Sequence, residues 1–363
     1  MLELRDNINR ILNTLRNEKI IDIATYDIKS DYLEEIVSSA NKKMEKAGLR
    51  TIESSLVLSD LEKICSYRIS DTIIDCDVAL RSHVIYFLAF DIANNTLIKN
   101  QSGFKFKLVK PGSGFDIAGD TMNSFSTTVR RYFRKNNQNE EIYNEERYKE
   151  GKRELKNQYS EAGGKNYWEV CILDNHKYFE GISPQSLLKF AALYHSVGNL
   201  IPVPFDAFNA PRGWNNPTIN DYWDLTLVAI YNWYMSASNK NAYGRYSLID
   251  VVKTDKNVCV CEKWLESFMD TKNNPSWNVF VEANFLQDFV NNYNGEYTYP
   301  KDLWNGHILN EKKKSNPDTN TDFDSFFSNS SEWILERGLR IGVAVKEVLS
   351  KKTNEEILKE LLG

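Results

Sequence analysis

Scarcity narrows this sequence first. The chain has five cysteines and four histidines in 363 residues, which leaves few donors for a metal and few nucleophiles. The cysteines stand at 65, 76, 171, 259 and 261. An odd, scattered set argues against a disulfide-stapled scaffold and predicts reduced thiols. Cys259-Val-Cys261 has a one-residue gap and no second Cys or His pair beside it, unlike a zinc ribbon or finger. His83, His176, His195 and His307 are far apart in sequence, so no metal ligand set is expected from spacing. No apolar run approaches the about 20 residues that a membrane span needs. The opening MLELRDN lacks the basic, apolar and small segments of a signal peptide. A soluble, cytoplasmic protein with no membrane partner is therefore expected.

Excess positive charge is also missing. Lys and Arg number 45 against 50 Asp and Glu, a net charge of −5. That argues against a protein that coats nucleic acid, while leaving room for a local basic groove. Gly112-Ser113-Gly114 lacks the Lys-Ser/Thr ending of a phosphate loop, no Gly-x-Ser-x-Gly elbow occurs, and no fixed-period repeat is visible.

What is present is bulk and aromaticity. With 42% hydrophobic residues, 18 Phe, 19 Tyr and 8 Trp, the chain can bury a large core and line semi-buried grooves. Its length predicts two domains or one large elaborated domain.

Apolar spacing at Leu4, Ile8, Ile11, Leu12 and Leu15 predicts a first helix, and Leu33 to Met44 a second that stops at Gly48. Ser59 and Glu62 form a capping box, and Ser70 to Ala93 reads as a buried helix. Residues 104–109 alternate apolar and basic, predicting a strand before a Pro-Gly-Ser-Gly turn. Asp120 or Thr121 is placed to cap a following helix that ends in Arg130, Arg131, Arg134 and Lys135. Residues 136–166 are strongly polar, Trp168 to Leu173 read as a short strand, and Ser183-Pro184 opens a helix that Gly198 ends. Helices are predicted at 263–269 and 279–290, an exposed loop at 310–322, then a long amphipathic helix through Trp333 and Val348 and a short one to Leu362. The expected fold is α+β, predominantly α-helical with a few short strands. A helical N-terminal region spans 1–100, and a motif-bearing α+β domain spans 101–363, with a polar insertion near 136–166.

The densest stretch is 194–235. Gly198 can end a helix in the left-handed region, leaving Asn199 at the junction with Leu200-Ile-Pro-Val-Pro204. The two prolines forbid an interior position in a sheet. Arg212 sits in a stiff turn, and Asn220 can cap a helix whose first turn carries Asp221 and Asp224. Arg212 could brace the turn through either carboxylate. It could instead face a groove with His195 and Asn199 and bind an anion. Trp223, Leu227, Ile230 and Tyr234 form a helical stripe that reads as core.

The strings GDTMNS at 119–124, VGNLIPVP at 197–204, FNAPRG at 208–213 and DYWDLTL at 221–227 resemble a family of bacterial proteins from low-GC genomes that carries no transferable activity. The likeness covers about residues 100–350. The order of Gly198-Asn199-Leu200, Asn209, a following helix and Trp333 to Arg337 is similar to HNH-type nuclease domains of modification-dependent restriction enzymes. That resemblance implies a divalent metal and an upstream Asp-His pair, for which Asp174-Asn175-His176 stands in with one residue interposed.

Two functions are thus expected as alternatives. One is a conflict or phage-defence effector acting on nucleic acid or nucleotides, with His195, His176 and Asn199 catalytic, and Arg212, Asn209, Asp120 and Asp224 binding. The other is a non-enzymatic module for a protein or small ligand. Whether the protein is an enzyme stays open.

Overall fold

The computed structural model describes residues 2–26, 80–93, 105–106, 116–123, 128, 182–204, 207–208, 210–212, 222–237, 246–304 and 319–362. The helix predicted at 31–48, the capping box at Ser59, the basic helix end at 130–135, the polar stretch 136–166 and the strand at 168–173 lie outside them.

The fold is mostly helical with small sheets. Helices α1 (Leu2–Asn17) and α2 (Ile20–Thr25) open the chain, followed by α3 (Leu80–Tyr86), which widens into a π turn, Phe87–Ala93. Every residue from Arg81 to Tyr86 is buried, as the apolar run predicts. Strands β1 (Lys105–Phe106), β2 (Asp116–Thr121) and β3 (Leu200–Pro204) pair in that order, β1 with β2 parallel and β2 with β3 antiparallel. Pro202 and Pro204 lie opposite Gly119 and Ile117 on the edge strand, where a missing amide costs no ladder bond.

Helix α4 (Pro184–Leu193) starts as its sequence predicts: the Ser183 hydroxyl accepts from the Ser186 amide at 3.4 Å, with Pro184 in the first turn. A 3-10 turn, Val197–Asn199, leads into β3. Helix α5 (Trp223–Ala237) is buried nearly all round, the mark of a core helix. Helices α6 (Leu248–Val252), α7 (Asp255–Glu266) and α8 (Trp277–Ala283) pack beside it.

The helix predicted over 279–290 ends early. Asn284 caps α8, Phe285 turns left-handed at φ 55°, and the chain enters a hairpin of β4 (Val290–Tyr293) and β5 (Glu296–Pro300). Asn294 and Gly295 both have positive φ, 52° and 85°, as a two-residue hairpin turn requires.

Helix α9 (Asn320–Lys351) begins with Thr319 and Asp322 in a reciprocal capping box, so the exposed loop predicted to 322 gives way to helix at 320. A last helix, α10 (Asn354–Leu362), follows. The start of α9, from Phe323 to Ile334, enters one buried cluster with α5, α7 and α8. Its second half, from Ile341 to Leu349, enters another with α1, α2, α3 and α10. Gly338 and Gly342 let α9 lie against α2: a Cβ there would stand 2.9 Å from the Ala24 carbonyl oxygen and 3.0 Å from that of Ile20.

Candidate functional site

The polar residues of 194–235 that fall within the described chain are core residues, and several of them hold one piece of backbone. Residues 121–123 leave β2 just where its ladder with β3 would end. Asn199 continues that ladder with its side chain. Its carbonyl accepts from Met122 N at 2.7 Å, its Oδ1 accepts from Asn123 N at 3.1 Å, and its Nδ2 donates to Asn123 O at 3.0 Å and Tyr194 O at 2.9 Å. Arg212, fully buried in the helical turn Ala210–Arg212, donates from Nη2 to Thr121 O at 3.0 Å and Met122 O at 2.6 Å. Its guanidinium carbon lies 5.2 Å from the Trp223 ring centroid. Asn123, which the sequence reading did not single out, passes the connection on: its Oδ1 accepts from Trp223 N, the first amide of α5, at 3.0 Å.

Asp224 works at the same helix start. Its carboxylate accepts from Leu225 N at 2.8 Å and Leu303 N at 3.1 Å, tying α5 to the segment after β5. Of the two expected partners of Arg212, Asp224 thus faces amides, and Asp221 lies outside the described residues. His195 is 1% exposed with its ring 4.3 Å from that of Tyr194. Asn199, Arg212 and Asp224 are therefore gathered around one backbone turn and one helix start, away from solvent, and His195 is buried beside Tyr194.

Two further expectations change. Gly119, Asp120 and Thr121 are strand residues opposite Pro202, Ile201 and Leu200, so Asp120 and Thr121 extend β2 instead of capping a helix. Gly198 is not left-handed; its need for glycine is steric. A Cβ on it would sit 2.0 Å from the Ile334 carbonyl oxygen, because α9 crosses directly over the 3-10 turn. Three residues along α9, Arg337 clasps that turn. It is fully buried, and donates from Nη1 to Val197 O, Gly198 O and Leu200 O at 3.2, 2.9 and 2.7 Å, and from Nε to Asn284 O at 3.0 Å. Burial lowers the Arg337 pKa to about 9, so it remains a cation at neutral pH, and this ring of carbonyl dipoles is what solvates it.

His176 and Asn209 lie outside the described residues. Among the described residues no three His, Cys, Asp or Glu side chains gather into a metal-holding group.

A solvent-reachable recess occurs elsewhere, about 400 Å³ in volume, between the end of α5, the 270–276 loop, the start of α8 and β5. Its floor is aromatic, from Tyr234, Trp277 and Tyr297, and its rim carries Asp270, Asn278 and Glu296. Local hydrogen bonds hold this shape. Trp277 Nε1 donates to Thr298 O at 3.2 Å, Asn278 Oδ1 accepts from Tyr297 N at 3.0 Å, and the Tyr234 hydroxyl donates to Leu265 O at 2.8 Å. Asp270 Oδ1 accepts from Lys272 N and Asn274 N at 2.8 and 2.9 Å. The Asn274 and Lys272 amides keep its carboxyl below the usual carboxylate range, and so charged. Burial raises the Tyr297 phenol, aided by the nearby Glu282 carboxylate.

Compared with protein-family models, curated proteins and solved structures, the chain gives no match.

Proposed function

We propose that this protein acts by binding, with its ligand seated in the recess between α5, α8 and β5. The observation that carries this reading is the recess itself, an aromatic floor under a polar, acidic rim. Its volume of about 400 Å³ falls within the about 300–1,000 Å³ of small-ligand sites. Further support comes from the burial of His195, Asn199 and Arg212, and the hydrogen bonds of Asn199 and Arg212 to backbone carbonyls suit framework residues. The acidic rim disfavours a phosphate ligand. The nucleic-acid effector reading, with its divalent metal, would have to draw on His176 and Asn209.

A fluorine-labelled sample tests this. With 5-fluorotryptophan incorporated and the Trp277 resonance assigned through Trp277→Phe, a fragment library is expected to yield hits that move that resonance. Divalent-metal-dependent cleavage of DNA or RNA, lost in His176→Ala and indifferent to Trp277→Phe, would overturn the proposal.

A further inference from the structure

We infer that the recess accepts a basic side chain, lysine or arginine, presented by a protein partner. This rests on the binding reading above and specifies the ligand's chemistry.

Aromatic rings offer an electron-rich face to a cation, and carboxylates at the rim supply the opposite charge. Both are present here. Tyr297 is half-buried and offers the accessible aromatic surface, beside Tyr234 and Trp277, which are 2% and 4% exposed. The Asp270 carboxylate is held by the Lys272 and Asn274 amides at Oδ1 and also by the Asn274 side chain. Glu296 is exposed at the rim, and Glu282 lies near enough to act on the Tyr297 phenol. Two positive groups lie nearby, and the Lys272 charge acts on Asp270 itself. Arg340 is held by Asp288 at 2.9 and 3.2 Å, and Lys272 is an exposed side chain on the loop. An anion would meet the Glu296 and Asp270 carboxylates, whereas an ammonium or guanidinium group meets opposite charge beside the Tyr297 ring.

The hairpin tip argues for a macromolecular source of that cation. Tyr293 is 72% exposed and pairs across the tip with Glu296, one of the rim carboxylates. Cross-strand partners lie within about 5 Å at Cβ. A partner that reaches into the recess with a basic side chain would therefore cover an exposed aromatic next to it, and a small free cation would not. Exposed aromatic and charged residues side by side suit such contacts.

Three blocked peptides in a Gly/Ser background, with a central Lys-Arg, Gln-Gln or Glu-Glu pair, test the inference on the full chain by calorimetry and by the Trp277 fluorine signal, beside free arginine amide. The Lys-Arg peptide is expected to bind and to shift Trp277. Its affinity should fall about tenfold or more in Glu296→Lys, a surface change with unaltered thermal unfolding, and fall again from about 50 to about 300 mM salt. Tyr293→Ser should weaken the peptide several-fold and leave arginine amide unchanged. If the Lys-Arg peptide fails to bind, or binds no better than the Gln-Gln or Glu-Glu peptide, while fragments still move Trp277, the cation inference is overturned and the binding reading stands. If arginine amide binds as tightly as the peptide and Tyr293→Ser has no effect, the partner is not a protein. If no peptide, cation or fragment moves Trp277, both proposals fall.

Discussion

Arg16 and Lys346 each close the C-terminal end of the other's helix. Lys346 Nζ donates to Leu15 O, Arg16 O and Glu18 O at 3.2, 2.6 and 2.8 Å, the last carbonyls of α1 and the turn after it. Arg16 in turn donates to Leu349 O, to Lys352 O at 2.6 Å and to Asn354 Oδ1 at 2.8 Å, at the end of α9. Cations placed at helix C-termini also complement the dipole of each helix.

This exchange makes a joint whose two halves should be coupled. Arg16→Met and Lys346→Met are each expected to cost about 1.5–3 kcal/mol, the range for charge-assisted hydrogen bonds. The double variant should deviate from additivity by more than about 0.5 kcal/mol. Urea unfolding of the four proteins measures this, and strict additivity would show two independent caps.

Asn199 makes the 121–123 turn part of the sheet. Asn199→Ala strands Asn123 N, Asn123 O and Tyr194 O in the core, and an orphaned buried polar group costs about 1–3 kcal/mol. A loss of about 3 kcal/mol or more is expected from chemical denaturation. A variant that keeps wild-type stability would return Asn199 to the list of ligand-contacting candidates.

At Gly198 even a methyl group has no room. The 2.0 Å separation from the Ile334 carbonyl means that Gly198→Ala must push α9 off the turn that Arg337 clasps. Overpacking of this kind costs about 1–3 kcal/mol, with the upper end expected because the obstacle is backbone. Slowed amide exchange is expected at Leu200 in the wild type and lost in the variant; unchanged exchange there would contradict a rigid crossing.

Tyr234 gives a pH signature. Burial raises its phenol pKa well above the usual value of about 10. The unfolded chain then loses the proton first as pH rises, so the folded state binds more protons above pH about 10. The stabilisation is complete below that pH and declines above it, by up to about 1.4 kcal/mol per pH unit. Denaturation midpoints from about pH 8 to 11 should fall less steeply in Tyr234→Phe than in the wild type. Parallel curves would place the phenol in contact with water.

Local patterns in the sequence carry over well to the structure, and contacts between distant segments do not. The Leu4 to Leu15 spacing, the Ser183-Pro184 start, the stripe from Trp223 to Tyr234 and the edge placement of Pro202 and Pro204 each depend on a few neighbouring residues, and each appears in the fold. Asn199 reads as a binding residue in sequence because its partner Asn123 lies 76 positions away. Gly198 reads as a helix stop because the helix that crosses it, and Arg337 within that helix, stand 139 positions away. The β4–β5 hairpin is a different matter. Its signal, Asn294-Gly295 between Val290-Asn-Asn-Tyr293 and Glu296-Tyr-Thr-Tyr299, is local, and the apolar spacing of the preceding helix obscures it. The recess has no sequence signature, since its walls come from three separate stretches around 234, 270–278 and 296.

The position of α9 between two buried clusters bears on how the chain reaches this fold. Ribosomes make residues 320–351 after every other segment those clusters contain except α10. Until α9 is available, Phe190 and Tyr222 on one side and Leu88 and Phe90 on the other lack the helix that packs against them. The contacts that run through α9 form last, so part of each cluster keeps open apolar surface until residues 320–351 have been made.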